Sequence, residues 1–147
     1  MAVQKESKLS LPVLLTQAKA LMVEQLHERL AEEGFDGVLY WHGSVFRHID
    51  PEGSRLTVLA ERSGLTKQAI GEVVADLESL GHVERTADPV DRRANIIRLT
   101  ERGTKVQLAA KRILEDIERR WDRHLGRGRI AMLRRTLEEV ISFERGQ

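Results

Sequence analysis

The chain is expected to adopt a mainly α fold, and three observations predict it. Apolar residues recur at helical spacing over most of the 147 residues. Two short amphipathic stretches meet across a Ser-Gly turn at Ser63-Gly64. Directly after them come two short runs of interleaved polar and apolar residues, HVERT (82–86) and NIIRL (95–99), which read as the strands of a single hairpin.

The elements follow in order. Leu11, Leu14, Leu15, Ala18, Leu21, Met22, Leu26 and Leu30 predict a first helix from Leu11 to Glu33, stopped at Gly34. Phe35, Leu39, Phe46 and Ile49 suggest a second helix, although Gly37 and Gly43 weaken it, since each costs ~1 kcal/mol against Ala in a helix interior. The residues DPEGS (50–54) form a turn. Thr57 can cap a short helix carrying Leu59 and Ala60, and Thr66 can cap the next, because a threonine hydroxyl accepts one of the orphan amides of the first turn. In that next helix Ile70, Val73, Val74, Leu77 and Leu80 make one apolar stripe, ended by Gly81. The hairpin is separated by ADPVDRRA (87–94), too long for a tight two-residue turn, so it projects as a wing. Thr100 caps a long helix bearing Val106, Ala110, Ile113, Ile117, Trp121 and Leu125. Gly126-Arg127-Gly128 breaks it, and Ile130, Leu133, Leu137, Val140 and Ile141 mark a last helix.

A helix-turn-helix followed at once by a two-stranded β-hairpin wing is an arrangement for reading DNA. Its second helix fits a major groove about 12 Å wide, while a projecting tip reaches phosphates or the minor groove. The charge in the hairpin then acquires a purpose: Arg92 and Arg93 sit at the tip, and narrow minor grooves attract inserted arginine. The competing account is a solvated turn whose charges only keep a strand edge from aggregating.

The segment Leu59–Gly103 resembles the winged helix-turn-helix of the MarR family of bacterial transcription regulators. The wing carries that family's spacing at Asp91, Arg93, Leu99, Thr100 and Gly103. The resemblance implies a homodimer whose N- and C-terminal helices interlock, with two winged lobes on a pseudo-palindromic operator. It also implies a wing-bracing ion pair between Asp91 and Arg93. One domain is expected over 1–147, with residues 9–34 and 101–147 as dimerisation helices and 35–100 as the winged lobe. Facing away from the apolar stripe are Lys67, Gln68, Gly71, Glu72 and Ala75. Gln68 suits adenine, Lys67 suits guanine or a phosphate, and Thr66 can bond a phosphate besides capping. Gly71 permits close backbone approach without base-edge chemistry. Glu72 departs from the family's pattern: it accepts from cytosine N4 or lies along the rim. Because the reading helix holds one Lys against three carboxylates, Arg55, Arg85, Arg92, Arg93 and Arg98 are assigned much of the phosphate attraction.

Family members often respond to small aromatic or anionic ligands, and VLYWHGSVFRHI (38–49) is the candidate wall for an effector, through Tyr40, Trp41, His42 and Phe46. The plainer reading makes those residues packing.

Charge supports a DNA role only through placement. Net charge is +1, but residues 1–53 carry 5 Lys/Arg against 8 Asp/Glu, residues 54–100 carry 7 against 7, and residues 101–147 carry 12 against 8. In 111–129 the arginines alternate with carboxylates as i,i+4 pairs on a solvent face. Other functions lack their residues. There are no cysteines, hence no disulfide framework or Cys-ligated zinc, and the five histidines show no metal-ligand spacing. No nucleophile elbow, phosphate-cradling Gly loop or paired-carboxylate constellation appears, so neither an enzyme nor a cofactor is expected. No apolar run reaches the ~20 residues of a bilayer span and the N-terminus lacks a signal-peptide core, which points to the cytoplasm. Two alternatives stay open: a winged helix that binds protein, and a DNA binder with no effector.

Overall fold

The computed structural model describes residues 8–147, which contain six α-helices and a three-stranded antiparallel sheet. The fold is the mainly α, winged arrangement anticipated, with some differences in detail. The chain forms two compact units, one ending at Ala110 and the other running from Lys111 to Gln147.

In the first unit, α1 spans Leu11–Glu32 with Pro12 in its opening turn, where the missing N–H is no loss. Only Leu30 of α1 is fully buried, and Leu11, Leu14, Leu15 and Leu21 stand exposed. The long helix expected over 35–49 does not form. In its place come a 3-10 turn at Tyr40–His42 and one helical turn, α2 (Gly43–Phe46). Gly34 and Gly37 take φ of +90° and +84°, and Leu39 is extended, so the helix cannot start until Tyr40. The apolar residues still recur because Val45, Phe46 and Ile49 point into the core.

A short strand β1 (Ser54–Arg55) precedes α3 (Leu56–Ser63), whose N-cap is Arg55 and not Thr57. Gly64 ends α3 in the left-handed conformation at φ +72°, which glycine adopts without a Cβ penalty. Helix α4 (Lys67–Ser79) opens as expected, with Thr66 Oγ1 accepting from the Ala69 N–H at 3.0 Å. Its stripe of Ile70, Val73, Val74 and Leu77 is buried against the core.

The wing strands are β2 (Val83–Ala87) and β3 (Asn95–Leu99), paired from Val83 with Leu99 to Ala87 with Asn95. Strand β1 adds to the far edge of β3 through Ser54–Ile97 and Arg55–Ile96, giving the order β1-β3-β2. The wing is thus three-stranded, where the sequence suggested two. Thr100 closes the sheet and opens α5 (Glu101–Leu125): its hydroxyl donates to the Gly81 carbonyl and accepts from the Gly103 N–H.

The second unit holds the end of α5 and α6 (Arg129–Glu144). Asp122 joins them, accepting from the Gly128 and Ile130 amides at 3.1 and 3.2 Å, so a carboxylate sits on the positive end of α6. Arg134 pairs with Glu118 across the turn. No residue of α6 is buried, and Leu133, Val140, Ile141 and Phe143 are exposed.

Candidate nucleic-acid interface

The buried stripe on α4 determines what its other face presents. With Ile70, Val74 and Leu77 fully buried, Lys67, Gln68, Glu72 and Ala75 lie exposed and Gly71 half-buried. A Cβ at Gly71 would come 3.9 Å from the Leu56 side chain, an ordinary contact, so glycine there is no packing necessity. The free N-terminal turn of α4 carries Lys67, and beside it the wing curls back. Between them and the start of α3 lies a cleft of about 360 Å³ lined by Arg55, Thr57, Lys67, Asp91, Arg93 and Asn95. Three cations from three separate elements therefore converge on one concave surface.

The wing is braced differently from the expectation that placed an ion pair between Asp91 and Arg93. Asp91 Oδ1 accepts from the backbone N–H of Arg93 at 3.0 Å, and the guanidinium takes no part. The guanidinium–carboxylate pair is instead Arg55–Asp88, at 2.5 Å. Asp88 is only 4% exposed, and its Oδ1 also accepts from the Val90 N–H at 2.8 Å, an Asx turn. The Val90 amide, helped by Arg55 and the Asp91 amide, holds the Asp88 carboxyl below the usual carboxylate range against the opposing effect of burial. The loop closes with the Asp88 amide donating to the Ala94 carbonyl and the Ala94 amide to the Asp91 carbonyl. The Asp-Pro pair marks a loop in the sequence, but the buried role of Asp88 depends on Arg55, thirty-three positions away, and local pattern does not reveal it.

The remaining arginines divide. Arg92 and the Arg93 guanidinium are exposed and have no side-chain partner among the described residues. Arg85 lies 3.5 Å from Glu78 of α4, and Arg98 donates to the Glu52 carbonyl, away from the cleft. Arg62, not singled out in the sequence, pairs with Asp50 and donates to the His48 carbonyl, tying α3 to the preceding turn.

The four residues of the candidate effector wall do not share one surface. Tyr40 and Trp41 are 42% and 51% exposed, with Lys19 Nζ 4.5 Å from the centre of the Tyr40 ring. His42 and Phe46 face inward. The His42 Nδ1 accepts from the Leu39 N–H at 2.8 Å, and Ser44 Oγ donates to the Trp41 carbonyl at 2.7 Å, so the turn is stitched from both ends. His42 and His82 are each 1% exposed, and burial lowers the affinity of both rings for a proton. Asp76 partly offsets this at His42, whereas Arg102 reinforces it at His82.

No group of His, Asp and Glu able to hold a metal ion occurs among the described residues, and no described helix is long and apolar enough to cross a membrane.

Comparison with known proteins agrees with this geometry. Residues 36–94 match the MarR family model. The transcriptional regulator HosA of Escherichia coli O111:H- is 34% identical over 76 residues, a match spanning 51% of this chain and 56% of HosA, so only about half of that relative's length is covered. CouR of Rhodococcus jostii RHA1, solved bound to p-coumaroyl-CoA, is 26% identical with a TM-score of 0.69, covering 94% of this chain and 95% of its own. FabT of Streptococcus pneumoniae, solved in complex with DNA, has a TM-score of 0.77 at 16% identity over 92% of this chain and 95% of its own. The helix pair, the wing and these likenesses converge: residues 36–94 match the MarR family model, and the chain folds as a winged helix-turn-helix like that of the solved MarR-family regulators.

Proposed function

We propose that this chain is a sequence-specific DNA-binding transcriptional regulator, a cytoplasmic homodimer that represses from a pseudo-palindromic operator and is relieved by a small aromatic or anionic ligand. The observation that carries the reading is the convergence of Arg55, Lys67 and Arg93 on one cleft beside an exposed reading face and two free wing arginines. Helix α4 enters the major groove by its N-terminal turn, where Thr66, Lys67 and Gln68 meet backbone and base edges. Arg92 and Arg93 take the flanking minor groove or its phosphates. Arg55 and Arg85 are each already paired, so their contribution is a trade of a carboxylate for a phosphate. The exposed leucines of α1 and the exposed apolar residues of α6 supply the surface that a second copy covers. FabT was solved with DNA and CouR with p-coumaroyl-CoA, which supports both halves of the reading by likeness.

Glu72 favours a second reading, a winged helix that binds protein, because its exposed carboxylate stands on the face that phosphate would repel. Selection of bound duplexes from a random pool separates the two. A two-lobed DNA reader enriches an inverted repeat with half-sites ~10 bp apart or a multiple of that. Replacing Arg92 and Arg93 together by alanine is expected to lower the magnitude of the log–log salt slope of binding by roughly 2 per lobe, hence by roughly 4 for the two-lobed complex. An unenriched pool at low ionic strength supports the protein-binding reading, as does an unchanged slope. A thermal-shift screen of aromatic acids and their thioesters tests relief by ligand, since binding to the folded state raises Tm.

A further inference from the structure

Nothing in the DNA-reading surface accounts for the histidines. His42 Nε2 and both ring nitrogens of His82 are buried without a hydrogen-bond partner among the described residues, in the same unit that carries α4. Leaving such groups unpaired is costly, and a native structure generally keeps them for a reason.

The hydrogen bonding around His42 fixes its tautomer. Nδ1 accepts the Leu39 N–H, so the neutral ring carries its proton on Nε2. That nitrogen lies 3.7 Å from Asp76 Oδ2, close enough for attraction between charges but beyond a good hydrogen bond. A second proton has only Nδ1 to occupy, and to do so it must displace the Leu39 amide. The imidazolium so formed is drawn to the Asp76 carboxylate. Proton uptake therefore exchanges a bond to the 39–42 turn for a tighter pair with α4.

We propose that His42 is a proton-operated latch between the turn bearing Tyr40 and Trp41 and the reading helix α4, so that acidification releases the turn, shifts α4 and weakens DNA binding. The DNA part of this rests on the function proposed above. The charged and titratable groups acting on the latch are Asp76 on α4, His27 on α1 and His82 at the head of β2, the last with Arg102 of α5 beside it. Of these only Asp76 favours the charged ring. His27 opposes it, and burial opposes it most, which places the transition below the ordinary histidine range.

Trp41 reports on the latch directly. Its ring centre is 5.8 Å from that of His42, and a protonated imidazole quenches indole emission. In the full chain carrying Trp121→Phe, which leaves Trp41 as the one tryptophan, emission is followed from pH 7.5 to 5 with far-UV circular dichroism as the check on folding. Amide exchange over residues 67–79 is measured on the same samples. Emission is expected to fall in one titration, exchange in α4 to change with the same midpoint, and DNA affinity at constant ionic strength to fall by about 5-fold or more. His42→Gln, which keeps polar atoms but does not titrate here, should abolish all three responses. Asp76→Asn at a mostly exposed site spares the fold and should move the emission midpoint to still lower pH. A flat emission curve in folded protein overturns the latch, and so does a titration that survives His42→Gln. An emission titration without any response of α4 overturns the coupling. Absence of DNA binding at every pH, with emission and exchange still titrating, removes the DNA-binding reading and leaves the latch supported.

Discussion

Gly103 shows how tightly one position can be determined. A Cβ built there falls 1.9 Å from the His82 carbonyl oxygen, and that oxygen is already held by the Thr100 N–H at 3.0 Å. Neither backbone can retreat cheaply, so the glycine of the wing motif is required by contact between chains of backbone and by no special torsion. Gly103→Ala is expected to destabilise the protein by about 2 kcal/mol or more, read as a lower urea midpoint. Three histidines, two of them fully buried and His27 half-buried, set a second residue-level expectation. His27, His42 and His82 all have folded-state pKa values lowered from 6.5 by burial, so the unfolded chain binds their protons first. Their contribution to stability is complete above pH 6.5 and declines as pH falls below it towards the depressed folded values. Tm measured at constant ionic strength should fall from pH 7.5 to pH 5.5, and a constant Tm would contradict the burial seen here. Asp88 acts in the same direction at lower pH: its lowered pKa adds stability that is present above the normal carboxylate value of 3.8 and lost as pH falls through the folded one.

At the scale of elements, caps and glycines determine the boundaries. Thr66 satisfies an orphan amide of α4, and Thr66→Ala should cost about 1 kcal/mol in urea denaturation with an unchanged m-value. The sequence made most helices legible because their apolar residues repeat at 3.6 and end at glycine. Helices α1, α4, α5 and α6 lie within a residue or two of where that pattern puts them. Two elements escaped it. Strand β1 is two residues long, too short to show alternation, and exists because β3 offers it an edge. The run from Phe35 to Ile49 keeps helical spacing of apolar residues, while left-handed glycines at 34 and 37 and an extended Leu39 leave only a 3-10 turn and one helical turn. The candidate interface divides in the same way. Lys67, Gln68 and Glu72 follow from the face opposite a buried stripe, whereas the Arg55–Asp88 brace joins residues that only the folded sheet brings together.

For the whole molecule, a net charge of +1 leaves little general attraction for a polyanion, so binding of DNA must come from where a few cations converge. The salt slope should accordingly be modest for one lobe and roughly double for a two-lobed complex. Sedimentation equilibrium is expected to give a dimer at micromolar concentration, since α1 and α6 each carry apolar residues that no described neighbour covers. A strictly monomeric protein would leave those faces without a purpose.

Arg55 is the last residue of β1, the N-cap of α3 and the partner of Asp88 in the wing loop. One guanidinium thereby yokes the helix pair to the arginine-bearing tip. If the proposed DNA reading holds, a tilt of α3 would carry the wing with it through this pair, and each lobe would engage or leave its half-site as one body.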